Sequence, residues 1–162
     1  MASFNGLLQA EFHPPRNWKL TRPLSFYSEE INQEDITILN MIGVTLHSGG
    51  TIQVEEGFET NLASVPRALW GIMAPWDVAR AAVIHDKLYS KCCECYSYMA
   101  RRNSAELQEV WPKARAVSDK VFLLAMKAAE PPVPRWKIYA AYRAVRIFGA
   151  KHARGKSTNM ET

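Results

Sequence analysis

A chain of 162 residues is long enough for one domain with a real core, and too short for two independent domains to be expected. Hydrophobic residues make up 48% and charged residues 22%, ordinary values for a soluble globular protein, and no apolar run reaches the length needed to cross a bilayer. The formal net charge is +4, and much of the excess sits in the last third, in Arg135, Lys137, Arg143, Arg146, Lys151, Arg154 and Lys156. Such a surface can attract nucleic acid or anionic lipid. The simpler reading is a solvated helix face and a basic tail, and nucleic acid is not expected as a partner.

Residues 1–57 read as β and loop. The first residues, Met1-Ala2-Ser3-Phe4-Asn5-Gly6, lack a basic stretch followed by an apolar one, so no secretory signal is expected. A strand is predicted around Trp18-Lys19-Leu20-Thr21, ended by Pro23. Ile36, Ile38, Met41, Ile42, Val44 and Leu46 form an apolar segment rich in β-branched residues. His47-Ser48-Gly49-Gly50 is a turn signal, and Thr51-Ile52-Gln53-Val54 alternates. Together these predict a β-hairpin.

Residues 58–150 read as helical. Asn61 to Arg67 is a loop in which Ser64 is a candidate helix N-cap. A short helix is predicted from Pro66 to Met73, stopped by Pro75, with Trp76-Asp77 opening the next. Over 77–91, Val78, Ala81, Ala82, Ile84, His85, Leu88 and Tyr89 recur at spacings of three and four, the pattern of an amphipathic helix. Cys92, Cys93, Cys95 and Arg101-Arg102-Asn103 read as a connection. Three cysteines cannot all pair, and the run lacks a fourth ligand for zinc, so they are expected to be thiols in a reducing compartment. A helix is predicted from about Ser104, with an interruption at Pro112 and a main run over 113–129 carrying Val117, Val121, Leu124 and Ala128 on one side. Glu130-Pro131-Pro132-Val133-Pro134 breaks it. The last helix runs from Arg135 to Phe148 and ends at Gly149. Residues 151–162 read as a mobile basic tail. The expectation is therefore a single α+β domain over 1–150, a small N-terminal antiparallel sheet followed by three packed helices.

Chemistry centres on the predicted helix at 77–91. His85 and Tyr89 are four apart and share a face, and Asp86 points about 100° away. A histidine can take a proton from water near neutral pH. An adjacent carboxylate can hold a hard cation, with help from loop oxygens at Asn61 and Leu62. Such a cation would polarise an ester carbonyl. A base of this kind works better when a carboxylate orients its far nitrogen, and Asp119 on the next long helix is a candidate. The other reading makes Asp119 a surface residue paired with Arg115 at i,i+4, and His85 a core histidine bonded to a backbone carbonyl. The apolar residues Leu69, Trp70, Ile72, Met73 and Trp76 are either core or a lipid-contacting patch.

Four blocks resemble the domain of unknown function 1353 family, small proteins encoded largely by tailed bacteriophages and prophages. They are Phe58-Glu-Thr-Asn61-Leu62-Ala-Ser64-Val65-Pro66-Arg67, Ala81-Ala82-Val83-Ile84-His85-Asp86-Lys-Leu88-Tyr89, Ser118-Asp119-Lys-Val-Phe122-Leu-Leu-Ala125-Met126 and Tyr142-Arg143-Ala144-Val145-Arg146-Ile-Phe148-Gly149. The resemblance covers residues 58–149. That family in turn looks like the prokaryotic secreted phospholipases A2, which share a His-Asp-x-x-Tyr helix, a downstream Asp-x-x-Phe helix and a terminal Tyr-x-Ala-Val-Arg-x-Phe-Gly segment. The resemblance implies a phospholipase A2-like helical core. It implies His85 as general base and Asp119 as the group that orients it, while Tyr89, one helix turn on, can hydrogen-bond in support by its position alone. Asp86, Asn61 and Leu62 would be the calcium ligands. Asn61 stands where the family usually has aspartate, so one negative charge is lost and the implied calcium binding is weak. Cys92 and Cys93 lack the disulfide mates of the secreted enzymes.

The expected function is a calcium-dependent hydrolase that attacks a phospholipid ester, serving passage of the phage genome into the host or host lysis. The alternative is a non-catalytic virion protein of the tail or tail tip. The partners are then a phospholipid membrane surface or other phage virion proteins, and the chain is expected in the host cytoplasm at synthesis and later in the virion. A zinc-dependent attack on another polymer lacks its His-Glu-x-x-His signature.

Overall fold

The computed structural model describes residues 1–62 and 78–155. The segment that carries the expected Ser64 cap, the helix at Pro66–Met73 and the apolar group Leu69 to Trp76 lies outside the described residues, as does the tail beyond Gly155. Strands β1 (Ala2–Phe4), β2 (Ala10–His13), β3 (Asn17–Leu20) and β4 (Leu24–Ser28) lead into helix α1 (Gln33–Met41). Strands β5 (Leu46–His47), β6 (Thr51–Val54) and β7 (Glu59–Thr60) follow. Helices α2 (Ala79–Arg102), α3 (Ala105–Lys127), α4 (Arg135–Phe148) and α5 (Ala150–Ala153) complete the described chain. The α+β class is as expected from the sequence.

Two small antiparallel sheets form. The first has the order β1-β4-β6-β5, and the second β2-β3-β7. Side chains alternate along β4, where Leu24, Phe26 and Ser28 are buried, and along β6, where Ile52 and Val54 are buried. Phe26 faces Phe4 on one neighbour and Ile52 on the other, so the period of two places an apolar row across the sheet. The predicted strand at residues 18–21 is β3, and the predicted hairpin survives as the short pair β5–β6, with Leu46 opposite Ile52.

The rest of the predicted first hairpin strand is corrected. Residues Gln33–Met41 are helical. A reciprocal capping box outweighs their β-branched composition. The Asp35 backbone N–H donates to Asn32 Oδ1 at 2.9 Å, and the Asn32 N–H donates to Asp35 Oδ2 at 3.0 Å. Gly43, at φ 82°, then turns the chain back toward the sheet.

The helical half also departs from expectation in three places. The cysteine stretch is not a connection: α2 runs unbroken to Arg102 and ends at Asn103, which takes the left-handed conformation at φ 49°. No residue in the stretch breaks a helix, and Cys92 and Cys95 are buried one turn apart as small apolar groups. Pro112 does not interrupt α3, whose buried Val110, Trp111 and Ala114 carry the helix through it. Tertiary contact contributes here, since the Trp111 indole N–H donates to the Cys92 carbonyl at 3.0 Å. Finally, residues 150–153 are a helical turn with Ala153 buried, so the expected tail does not begin at Lys151.

Helices α2 and α3 pack on each other and on the first sheet, and α4 packs on α3, around one continuous core that includes Phe26, Leu39, Ile52, Ile84, Leu88, Val121, Phe122 and Met126. Arg80, in the first turn of α2, joins distant parts. Its guanidinium donates to the Gly6 carbonyl and to the Glu130 carbonyl, each at 3.1 Å, and lies over the Phe4 ring. Among the described residues no helix is long and apolar enough to cross a membrane.

Candidate functional site

Because α2 and α3 pack side by side, the face of α2 that carries His85 and Tyr89 meets the face of α3 that carries Asp119 and Phe122. His85 Nε2 lies 3.0 Å from Asp119 Oδ1. The Tyr89 hydroxyl donates to the same oxygen at 2.7 Å. The Phe122 ring stacks on the imidazole at 4.6 Å between centroids, and the Tyr89 ring lies at 4.0 Å on a tilt. Asp119 is 0% exposed and His85 only 1%. The reading of Asp119 as a surface residue is therefore overturned, although its long ion pair with Arg115, 3.8 Å from Nε to Oδ2, does exist.

Asp119 is the electrostatic centre. Burial works to raise its pKa, but hydrogen bonds from His85, Tyr89 and Arg146 outweigh burial and hold the carboxyl below its ordinary range. It is ionised at neutral pH and only accepts hydrogen bonds. The imidazole Nε2–H is thus the donor to Asp119 Oδ1, and Nδ1 lies on the far side of the ring. Burial and the neighbouring Asp119 charge push the Tyr89 phenol well above its usual value, which keeps it a donor. Burial likewise pushes the Cys92 thiol up to about 12. It sits 3.6 Å from the Ser118 hydroxyl, under the site. All three cysteines are free.

Three contacts between helices in this arrangement were not expected from the sequence. Arg146, on α4, donates to Asp119 Oδ2 at 2.8 Å. Arg115 braces that arm, since its Nη2 donates to the Val145 carbonyl at 3.1 Å and also to the carbonyl of Arg146. Gly149 caps the C-terminus of α4 as expected, in a right-handed conformation at φ −69° that any residue could adopt. Its requirement is steric: a Cβ there would collide with the Tyr89 hydroxyl and the Val145 carbonyl. No local pattern marks these roles, because each is a contact between helices.

Asp86 points elsewhere, as its position 100° round the helix requires. Its Oδ2 accepts a hydrogen bond from the Thr60 hydroxyl, which accepts one from the Leu62 backbone N–H at 3.1 Å. Leu62 takes a left-handed φ of 54° with its side chain buried, so the loop is held in a set shape against α2. Of the expected calcium ligands, Asp86 and the Leu62 backbone are thereby joined through Thr60, an unforeseen link. The donor types are hard oxygens: a carboxylate, an amide and backbone carbonyls, a set that suits calcium. Among the described residues no three His, Cys, Asp or Glu side chains gather as a metal site. A cation here would therefore depend on neutral oxygens around one carboxylate.

Comparison with known proteins adds a family. No curated protein and no solved structure matches the chain. Residues 37–145 match the family described as "Protein of unknown function (DUF1353)". That match begins inside α1 and ends in α4, so it takes in Asp86, Thr60 and the whole Asp119 network except Arg146 and Gly149. The chain belongs to this family.

Proposed function

We propose that this member of the DUF1353 family is a phage-encoded, phospholipase A2-like hydrolase that cleaves a carboxylic ester of phospholipid. The observation that carries the reading is the 3.0 Å contact between His85 Nε2 and Asp119 Oδ1. It is the base-and-orienter pair that general-base hydrolysis needs, on two rigid helices. Asp119 holds the ring and stabilises the imidazolium that forms. Water gives a proton to His85 Nδ1 as its oxygen bonds to the acyl carbon. The carbon–oxygen bond to the leaving alcohol then breaks, and the imidazolium returns the proton to that alkoxide. The products are a fatty acid and a lysolipid. Asp86, Asn61 and the Leu62 carbonyl are the proposed calcium ligands. Bound calcium would supply polarisation of the ester carbonyl and charge for the oxyanion.

The test is release of fatty acid from phospholipid vesicles and from a dispersed short-chain ester, with calcium and with a chelator. Calcium-dependent release is expected, lost in His85→Asn and in Asp86→Ala proteins that still fold by circular dichroism. No release by the wild-type protein from either substrate, or full release by His85→Asn, would end the proposal.

A second reading is a virion protein of the tail or tail tip that keeps the scaffold without turnover. It is favoured by one observation: both Asp119 oxygens are used, and His85 is only 1% exposed, as in a structural network that ties α2, α3 and α4 together. In that case the chain is recovered bound to particles, and His85→Asn lowers thermal stability without an enzymatic consequence.

A further inference from the structure

Nine large hydrophobic residues are exposed among the described residues, and four of them, Trp136, Tyr139, Ile147 and Phe148, belong to α4. At roughly 100° per residue Trp136, Tyr139, Arg143 and Ile147 fall on one side of this helix. Ile138, Ala141 and Val145, which are buried, fall on the opposite side. So α4 has an apolar stripe facing the core and a second one facing outward. An outward stripe of this kind marks a contact with something apolar.

Its electrostatics are one-sided. From Pro131 to Gly155 there is no aspartate or glutamate, while Arg135, Lys137, Arg143, Arg146, Lys151 and Arg154 are all present. Arg146 is held by Asp119, and Arg154 lies over Tyr96 and Trp111. Arg135, Arg143 and Lys151 are exposed, and Lys137 is half-buried. Cations and rings are interleaved: Lys137 lies 5.7 Å from the Trp136 ring, and Lys127 of α3 lies 6.0 Å from the Tyr139 ring.

We infer that the outer face of α4 is a docking surface for an anionic lipid bilayer. Charge complementarity selects an anionic occupant, and the side chains select among anionic occupants. A nucleic acid would use Trp136 and Tyr139 for stacking but has no use for the aliphatic Ile147, which is 69% exposed. A protein partner favours an apolar centre with charge moved to the rim, and lysine is depleted at such interfaces. Here Lys137 and Lys127 stand against the rings of this face, with no carboxylate from Pro131 to Gly155 to offset them. A bilayer accommodates that mixture, because aromatic rings sit at the headgroup level while Lys and Arg stems snorkel to the phosphates. The inference does not rest on hydrolysis. The helix reaches the candidate site from behind, through Arg146 on Asp119, so its outer face is a place to land and not the path of an ester to His85.

The experiment is cosedimentation of the full chain with vesicles of phosphatidylcholine alone and of phosphatidylcholine mixed with phosphatidylglycerol. It is run in chelator, so that binding is read without turnover. Binding to the phosphatidylglycerol vesicles is expected, weakened by salt. Trp136→Ala, Ile147→Asp and Arg143→Glu should each weaken it by roughly ten-fold or more. These side chains are exposed, so each variant should keep the wild-type circular dichroism. Ile147→Asp should also leave any cleavage of a dispersed ester unchanged, which separates loss of docking from loss of the site. The inference is overturned if the wild-type chain ignores anionic vesicles or if all three variants bind them normally. It is equally overturned if the chain binds DNA instead of vesicles, or forms a dimer that Ile147→Asp breaks while vesicles go unbound.

Discussion

Gly149 stands where any side chain would strike the Tyr89 hydroxyl, and that hydroxyl is a donor to Asp119. The end of α4 thus decides whether the tyrosine of α2 can reach the aspartate of α3. A Gly149→Ala protein should lose about 1–3 kcal/mol of stability, the usual cost of overpacking. Urea unfolding measures it. Tyr89→Phe removes the struck oxygen, so the double variant should lose less than the sum of the two single ones. Strict additivity would mean that the two residues do not constrain each other.

Asp119 makes the fold sensitive to acid. Its folded pKa is depressed, so its contribution to stability is complete above the ordinary carboxylate value of about 3.9 and is lost as pH falls toward the lower folded value. Wild-type protein should therefore lose stability steeply only in strong acid, and Asp119→Asn should flatten that limb. At neutral pH the same change should cost about 3–5 kcal/mol, because the partners of a buried charge are left behind. Urea unfolding across a pH series reads both effects. An unchanged acid limb would remove Asp119 from the centre of the network.

Thr60 joins the loop to α2 through a hydroxyl that donates to Asp86 and accepts from the Leu62 N–H. Replacing it with valine keeps the shape and removes both bonds. A loss of about 1–3 kcal/mol is expected from the unmet polar groups, and Thr60→Ser should restore most of it. A valine variant as stable as wild type would show that the loop at Asn61 and Leu62 is fixed by other contacts.

Cys92 is 0% exposed, with its thiol pushed up to about 12 by burial. The thiolate is the reactive form, so Cys92 should resist alkylation in the native protein at neutral pH. Cys93, which is half-buried, should react first. Peptide mass spectrometry after iodoacetamide treatment distinguishes them, and all three should label once the chain is unfolded. Rapid native labelling of Cys92 would mean that the packing of α2 against α3 opens readily.

Local rules made much of the site legible in the sequence. A period of 3.6 puts His85 and Tyr89 on one face and turns Asp86 toward a different neighbour, whatever the rest of the chain does. It also placed Asp119 within the long helix that follows, and proline and glycine bounded α4. Local rules misled where two local signals competed. The β-branched residues at 36–42 suggested a strand, but the Asn32–Asp35 box had the stronger claim, and the pattern Asn-x-x-Asp was there to be read. The cysteines suggested a connection, although nothing in the run stops a helix.

What the sequence by itself determined is which side chains share a helix face, because that depends only on neighbours within a turn. The tertiary structure alone decided that Asp119 turns to His85 as well as to Arg115, that Arg146 leaves the basic face to join it, and that Gly149 is chosen for space. Those outcomes depend on how α2, α3 and α4 lie against one another, and helix crossings are set by the fit of many side chains at once.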